Sequence, residues 1–323
     1  MTKRVPPLLV VAGPTATGKT GLSIWLARAL ASDGIVAEII SADSRQVYRG
    51  LDIGTAKASV DERAGVPHHG LDLVDPDRPF TVADFTAHAA GALAGIAEHG
   101  GLAILAGGTG LYLRAVARGV DTDALPSDPD LRASLEHDLT RDGLDALVAR
   151  LRVAAPARAA RTDLRNPRRV VRALEIAALS GDGEPPAYRG YDAPAAWIGL
   201  DLDREIHRTR IAARARRQFD SGLVDEARTL RERFDPGLPA FSAIGYREAW
   251  AVIDGQASVE EAVMLDAQRN AAFARRQRTW FRSEPGIEWL DAANEGVVRT
   301  RALAVARELL SGERPSSGGF VDP

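Results

Sequence analysis

The chain has 323 residues, with 41 Lys and Arg against 44 Asp and Glu, which gives a formal net charge of −3. Hydrophobic residues make up 45% and charged residues 26%, a balance that is typical of globular proteins and excludes wholesale disorder. The absence of cysteine excludes disulfides, thiolate zinc sites, iron–sulfur clusters and cysteine nucleophiles. The length suits one large domain or two ordinary ones.

The N-terminal region and the hydropathy of the chain bear on where the protein works. The apolar run at residues 8–12 stops at Gly13-Pro14 and is too short for the hydrophobic region of an export signal. No stretch approaches the roughly 18 apolar residues of a membrane span. We therefore expect a soluble, cytoplasmic protein with no membrane partner.

Strand, loop and helix alternate in the first part of the chain. Buried strands are predicted at residues 8–12, 35–41 and 102–106. Helices are predicted at residues 19–31 and, after a capping box that begins at Thr81, up to about Glu98. This order predicts a parallel sheet covered by helices, with the ligand at the carboxyl ends of the strands.

The pattern changes between residues 121 and 194, where we predict helices and loops but no strand. Asp128-Pro129 and Asn166-Pro167 each begin a helix, because proline is favoured at the first helical position. Strand character returns at residues 196–202, and Asp203 can cap the helix that follows. A second capping box at Ser258 begins a long helix to about Arg282.

These changes predict the domain organisation. An α/β domain is expected from residues 1–120 and 195–312, with C-terminal helices. An all-helical insertion is expected at residues 121–194. The segment 313–323 is rich in Ser, Gly and Pro and is expected to be disordered.

Residues 13–20 match the phosphate-loop consensus G-x-x-x-x-G-K-[ST] between a predicted strand and a predicted helix. The loop consists of Gly13, Pro14, Thr15, Ala16, Thr17, Gly18, Lys19 and Thr20. Successive backbone N–H groups should surround an anion. Lys19 would bring a positive charge to the terminal phosphate, and the Thr20 hydroxyl would be a ligand of Mg²⁺. The sequence thus predicts binding of a nucleotide such as ATP, or of a diphosphate, with Mg²⁺ as cofactor.

The loop by itself does not decide the reaction. A kinase or hydrolase usually holds Mg²⁺ with a second acid at a strand end, yet the strand at 102–106 ends in Gly107-Gly108. The carboxylate that does follow a strand is Asp43. It either caps the next helix or acts as a general base beside a bound diphosphate.

Arginine is concentrated in three segments of the chain, residues 158–172, 204–217 and 269–282. Arginine binds phosphate with two parallel hydrogen bonds and stacks on bases, so these segments suit RNA. The alternative is a GC-rich genome that uses Arg in place of Lys on solvated helix faces. Three such segments in a chain of negative net charge favour an extended polyanion.

Several motifs resemble the tRNA dimethylallyltransferase family, in the family's order and over most of the chain. They are GPTATGKT at 13–20, SADSRQVYRGLDIGTAK at 41–57, PHH at 67–69, VADF at 82–85, GGTGLYL at 107–113, RRVVRALEI at 168–176, IGYRE at 244–248 and RRQRTWFR at 275–282. The resemblance implies a P-loop NTPase-like parallel sheet flanked by helices, with an inserted all-helical domain that contacts tRNA.

The resemblance also implies a reaction. A dimethylallyl group would pass from its diphosphate to N6 of the adenosine immediately 3′ of the anticodon, after that base leaves the stack. The catalytic residues would be Asp43, as acceptor of the amine proton, Thr109, at the junction of the two substrates, and Lys19. Arg210 and Arg214 are the candidates for a clamp on the diphosphate.

The partners implied are the tRNA anticodon stem-loop and dimethylallyl diphosphate, with the chain acting as a monomer. The residues assigned to tRNA are Asp43, Ser44, Arg45, Gln46, Thr109, Arg132, Arg168, Arg169, Arg172, Ile244, Gly245, Tyr246, Arg247 and Arg276. His68 and His69 resemble a metal pair but would point in opposite directions if extended, so we expect a structural role. Trp280 and Phe281 are expected in the core.

Three other functions remain open from the residues alone. The first is a sibling enzyme, an adenylate isopentenyltransferase that acts on free nucleotides, but it should lack the helical insertion and the arginine segments. The second is a P-loop kinase for a small molecule, which needs a lid and a base pocket that we do not identify. The third is a nucleotide-regulated RNA-binding protein without chemistry of its own, which should tolerate loss of Asp43.

Overall fold

The computed structural model describes residues 5–121, 126–184 and 188–312. The chain divides into two compact units. One comprises the chain up to Gly119 and from Gly190 onward, and the other is Val120–Arg189. The predicted disordered tail, residues 313–323, lies outside the described residues. Among the described helices, none is long and apolar enough to cross a membrane.

The first unit is built on a parallel sheet. Its strands are β1 Leu8–Ala12, β2 Ala37–Ser41, β3 His68–His69, β4 Leu102–Gly107, β5 Ala195–Asp201 and β6 Ile287–Asp291. Within the described residues they form one six-stranded sheet in the order β3-β2-β4-β1-β5-β6, and every pair is parallel. The predicted α/β class is confirmed, although the sequence analysis predicted neither β3 nor β6.

Helices connect and cover the strands. In chain order they are α1 Lys19–Ser32, α2 Val60–Arg63, α3 Val82–Glu98, α4 Gly110–Ala117, α5 Pro129–Ala154, α6 Pro156–Arg161, α7 Pro167–Ser180, α8 Arg204–Asp220, α9 Leu223–Arg233, α10 Tyr246–Ile253, α11 Val259–Arg282 and α12 Glu295–Ser311. Both predicted capping boxes, at Thr81 and Ser258, are present. Asp203 caps α8 as predicted, accepting from the backbone N–H groups of Glu205 and Ile206.

The central strand β1 is buried along its whole length, and its alternate residues enter two hydrophobic clusters. Leu9 and Val11 belong to a cluster that includes residues of α1 and α12. Leu8 and Val10 belong to one that includes residues of α3 and α4. Alternation of side chains along a strand places these clusters on opposite faces of the sheet. Phe281 is fully buried in the second cluster and Trp280 packs against it, which confirms their predicted core role.

A third cluster lies where the segment after β2 meets helices α8 to α11. It joins Val47 and Leu51 to Phe241, Tyr246 and Trp250. Edge-on contacts between Phe241 and both other rings, with centroid separations of 5.9 and 5.2 Å, add to the area buried there. The packing gives the residues that follow β2 a fixed support.

The second unit consists of α5, α6 and α7 around its own small core. Helix α5 has a kink at Gly143, whose φ of 82° is left-handed. The unit ends at Arg189, short of the expected boundary at residue 194. The reason is that Gly190 N donates to Arg118 O and Tyr191 OH donates to Pro6 O, so this stretch is attached to the unit that contains the sheet.

Candidate active site

The phosphate loop leaves the carboxyl end of β1 and leads into α1. Gly13 has a φ of 144°, and a Cβ there would lie 2.5 Å from Leu200 O on β5, so only glycine fits. Gly18 and Ala16 also have positive φ, at 94° and 62°. For Ala16 this conformation is strained by about 1–2 kcal/mol and has to be held by neighbouring contacts.

Within the loop, Pro14 O accepts hydrogen bonds from Lys19 Nζ at 2.7 Å and from Thr17 Oγ1 at 2.9 Å. Burial, together with the charge of Arg214, lowers the pKa of Lys19 to about 7, and Asp43 partly opposes the shift. A buried ammonium that is this close to losing its proton lacks a strong counter-charge. The site is therefore electrostatically ready for an anion.

Thr15, at the tip of the loop, is held by three side chains that are distant in sequence. Its N–H donates to Gln277 Oε1, its carbonyl accepts from His207 Nε2, and its hydroxyl accepts from Arg214 Nη1, each at 2.8 Å. Gln277 also donates to Gly108 O at 2.9 Å, which connects the loop to the end of β4. The sequence analysis assigned no role to His207 or to Gln277. Gln277 lies in the RRQRTWFR motif, but nothing in the sequence indicates that either residue contacts the loop.

The two candidate clamp arginines differ in their contacts. Arg214 bonds Thr15 Oγ1 and, through Nη2 at 3.2 Å, Thr55 O. Arg210 reaches only Ala292 O, at 3.4 Å, among the described residues. Both line the cleft beside the loop. Of the two, Arg214 therefore contacts the phosphate loop directly and Arg210 does not.

Asp43 and Thr109 follow neighbouring strands, β2 and β4, and their loops are joined. Thr109 Oγ1 accepts from Ser44 N at 3.0 Å, and Thr109 N donates to Ala42 O at 3.1 Å. Asp43 lies close enough to Lys19 and Arg214 to act on the pKa of both. Asp43 Oδ1 accepts from Arg45 N at 2.8 Å in a turn, and no helix follows. Of the two alternatives left open for Asp43, the helix cap is therefore excluded.

Two residues expected to read the RNA base are engaged inside the protein. Gln46 accepts from Ser41 Oγ at 2.9 Å and donates to Thr55 O at 3.2 Å. Arg45 donates to Pro239 O at 2.9 Å. The Ser44 hydroxyl accepts a long bond of 3.4 Å from Thr109. These bonds hold the segment that follows Asp43.

The IGYRE segment is more buried than a surface contact would be. Tyr246 is fully buried, and its hydroxyl donates to Glu226 Oε1 at 2.7 Å. Gly245 N donates to buried Glu248, and only Arg247 of this segment is exposed. Half-buried Ile244 lies beside them. The expectation that the Tyr246 side chain contacts tRNA directly is corrected, because the third cluster needs its ring.

Some arginines of the second unit that were assigned to tRNA are paired inside the protein, and others are exposed. Arg132 and Arg172 were expected to contact tRNA. Both instead pair with buried Glu175, at 2.9 and 2.7 Å. Arg168 and Arg169 are exposed. In the first unit Arg276 is exposed and lies over the Phe273 ring, 5.7 Å from its centroid.

His68 and His69 have the structural role that was expected. They pair with β2 as strand β3. His68 Nδ1 lies 2.8 Å from Val66 O, and His69 Nε2 lies 2.6 Å from Glu38 Oε2. The two imidazole rings thus contact different partners.

A cleft of about 1000 Å³ opens beside the phosphate loop. Its charged lining residues are Lys19, Arg28, Glu62, Arg210, Arg214, Arg217 and Arg299. Arg28, Arg210 and Arg217 form no ion pair with another described residue. The strongly positive lining suits an anion such as a diphosphate.

The loop also fits a divalent metal ion. Thr20 lines the cleft, and its hydroxyl makes no hydrogen bond to any other described residue. One hard oxygen from the protein together with diphosphate oxygens is a normal set for Mg²⁺. Asp201, at the end of β5, is already paired with Arg278 at 2.9 Å. The described residues contain no group of three or more His, Asp or Glu that could hold a metal.

Comparisons with known proteins agree with this geometry. The family model described as IPP transferase matches residues 46–284. A tRNA dimethylallyltransferase of Anaeromyxobacter sp. (strain K) is 46% identical over 316 residues, 96% of this chain and 99% of that protein. One from Roseiflexus castenholzii is 44% identical over 310 residues, 94% of this chain and 98% of that protein.

Solved structures give the same result. The tRNA isopentenylpyrophosphate transferase of Bacillus halodurans is 37% identical with a TM-score of 0.67, and the match covers 94% of this chain and 98% of that one. A eukaryotic dimethylallyltransferase acting on tRNA is 25% identical with a TM-score of 0.75, over 95% of this chain and 80% of that one. The motifs, the parallel sheet and these matches together show that the chain belongs to the IPP transferase family.

Proposed function

We propose that this chain is a tRNA dimethylallyltransferase, which transfers the dimethylallyl group of dimethylallyl diphosphate to N6 of the adenosine 3′ to the anticodon and releases diphosphate. The observation that carries the proposal is the placement of Asp43 beside two cations, Lys19 of the phosphate loop and Arg214 of α8, which contacts that loop. A base and an anion cradle are thus adjacent, as attack by an amine on an allylic diphosphate requires.

The chain's residues divide the chemistry between them. Loop N–H groups, Lys19 and Arg214 hold the diphosphate and stabilise the charge that grows on it as the allylic C–O bond breaks. The exocyclic amine of adenine forms the new C–N bond and gives its proton to Asp43. Thr109, joined to the Asp43 loop through Ser44 N at 3.0 Å, positions the acid between the two substrates.

A divalent metal ion, which we propose to be Mg²⁺, would be held by the Thr20 hydroxyl and the diphosphate oxygens, and would neutralise charge on the leaving group. The support is the free Thr20 hydroxyl in the lining of a positive cleft.

For tRNA, we propose the exposed arginines as contacts to the backbone and the loop bases. They are Arg168, Arg169, Arg247 and Arg276. Exposed guanidinium groups bind phosphate and stack on unpaired bases. Arg169 is paired with Asp163 at 4.0 Å, but exposed pairs of this kind are weak. Because the cradle and the base come from one chain, we propose that a cytoplasmic monomer is sufficient.

Transfer of label from dimethylallyl diphosphate to unmodified tRNA tests the function. The substitution Asp43→Ala should lower the transfer rate by roughly 10²–10⁴-fold, because the amine loses its general base. Binding of tRNA should persist, measured by a filter or mobility assay. An Asp43→Ala protein that transfers the dimethylallyl group at the wild-type rate would contradict the proposal.

The same assay separates the alternatives. Label that appears on free AMP but not on tRNA would identify a free-nucleotide enzyme. Phosphate transfer from ATP to a small molecule would identify a kinase. The match of the family model across residues 46–284, which include the helical unit, favours the tRNA substrate over both.

A further inference from the structure

We propose that His207 is a positioning residue for the diphosphate: its imidazole holds the Thr15–Ala16 peptide so that the N–H of Ala16 faces the bound anion. This inference rests on the proposed function and deepens it. His207 lies on α8, 192 positions from Thr15, and is 4% exposed.

The geometry of the peptide bond supports this role. His207 Nε2 lies 2.8 Å from Thr15 O. A trans peptide is planar, and its N–H points opposite to its carbonyl. A carbonyl fixed on His207 therefore turns the N–H of Ala16 away from His207. Ala16 lines the cleft beside the loop whereas His207 does not, so an N–H turned away from His207 can face the cleft.

The loop needs such a restraint. Ala16 has a φ of 62°, a left-handed conformation that a residue with a Cβ does not adopt readily. The preceding peptide is fixed independently, because Thr15 N donates to Gln277 Oε1 at 2.8 Å and Pro14 O accepts from Lys19 at 2.7 Å. Without His207, the Thr15–Ala16 peptide is free to rotate and release the strain, which withdraws an N–H from the anion.

The surroundings of His207 fix its tautomer. Arg278 Nη2 donates toward Nδ1 at 3.4 Å, so Nδ1 carries no proton and Nε2 carries one. Arg278 is in turn held by Asp201 and by Leu202 O, both at 2.9 Å. Burial first, and then the charges of Arg278 and Lys19, lower the pKa of His207, although the bond to Thr15 and the charge of Asp201 oppose the shift. The ring is therefore a neutral donor aimed at Thr15.

The test compares His207→Phe, which removes the donor, with His207→Gln, whose amide N–H can reach the same carbonyl. Binding of inorganic diphosphate with Mg²⁺ is measured by calorimetry, and KM and kcat are measured for dimethylallyl diphosphate. We expect His207→Phe to weaken diphosphate binding and to raise the KM roughly tenfold, the effect of one lost hydrogen bond. We expect the affinity for tRNA to stay unchanged and His207→Gln to recover most of the loss.

The control is Thr209→Ala, an exposed position on the same helix, which should bind diphosphate as the wild type does. A folded His207→Phe protein that binds diphosphate with wild-type affinity would overturn the proposal, as would a folded His207→Gln protein that is as impaired as His207→Phe. Calorimetry does not depend on catalysis. A wild-type protein that binds diphosphate but modifies no tRNA therefore contradicts the proposed function and leaves the role of His207 to be decided by the variants.

Discussion

Lys19 shows how a single residue acquires its function from its surroundings. Any P-loop lysine can meet a phosphate, but here burial and Arg214 lower the pKa of the ammonium to about 7. At pH 8 most of the free protein therefore carries a neutral Lys19. A bound diphosphate supplies the missing counter-charge and raises the pKa again.

Proton uptake on diphosphate binding follows from this shift. At pH 8 the wild type should take up close to one proton at Lys19 for each diphosphate that binds. Calorimetry in buffers of different ionisation enthalpy measures this uptake, because the observed binding enthalpy then depends on the buffer. Lys19→Arg is the matched control, because arginine stays charged at this pH and removes the uptake. Equal uptake by both proteins would contradict the assignment to Lys19.

At the scale of elements, one buried acid joins helices of the second unit. Glu175 on α7 is fully buried and accepts from Arg132 on α5, from Arg172 and from Asp128 N at the start of α5. Burial acts to raise the pKa of Glu175, but these hydrogen bonds outweigh it and lower the pKa. The RRVVRALEI motif thus contains a buried structural acid, Glu175, as well as the exposed Arg168 and Arg169.

Removal of this acid should loosen α5 from α7. Glu175→Ala leaves two arginines without their partner, and we expect a loss of about 3 kcal/mol in the stability of this unit. Hydrogen exchange along α5 and α7 should speed up, while exchange in the sheet stays as in the wild type. Asp142→Asn, at an exposed pair with Arg141, is the control and should change nothing measurable. Unchanged exchange in Glu175→Ala would refute the role.

At the scale of the whole molecule, the free energy of unfolding depends on the protonation of buried acids. Asp266 on α11 is fully buried; its Oδ1 accepts from Asn270 at 2.8 Å, and its Oδ2 has no partner among the described residues. Burial raises the pKa of Asp266 to about 6. The folded state therefore favours the protonated form, and stability from this group is lost as pH rises through about 6.

The substitution Asp266→Asn should remove this decrease in stability with rising pH, because an amide does not titrate. Near pH 4 the variant and the wild type should differ least in the free energy of unfolding. As pH rises to 7, the free energy of unfolding of the variant should exceed that of the wild type by roughly 2–3 kcal/mol, because of the size of the pKa shift. Urea unfolding at a series of pH values measures the difference between the two proteins, so titrations common to both cancel. A difference that does not change with pH would refute the assignment.

The sequence by itself determined the features that depend on neighbouring residues. The continuous apolar run of β1, the capping boxes at Thr81 and Ser258, and the loop at 13–20 each contain their own physical cause, so their positions could be predicted. The repeated order of strand, loop and helix also predicted the parallel sheet. Strand β6 was missed because its short run has half-exposed residues, and becomes a strand by pairing with β5.

Only the tertiary structure decided which polar groups meet. His207 and Gln277 contact Thr15 from 192 and 262 positions away, and nothing in the arginine-rich segment or the motif that contains them indicates this partner. Arginine content predicted anion binding, but packing decided that Arg132 and Arg172 pair with Glu175 while Arg168 stays exposed. A strong local pattern determines backbone conformation by itself, whereas the partner of a side chain follows from which elements pack together.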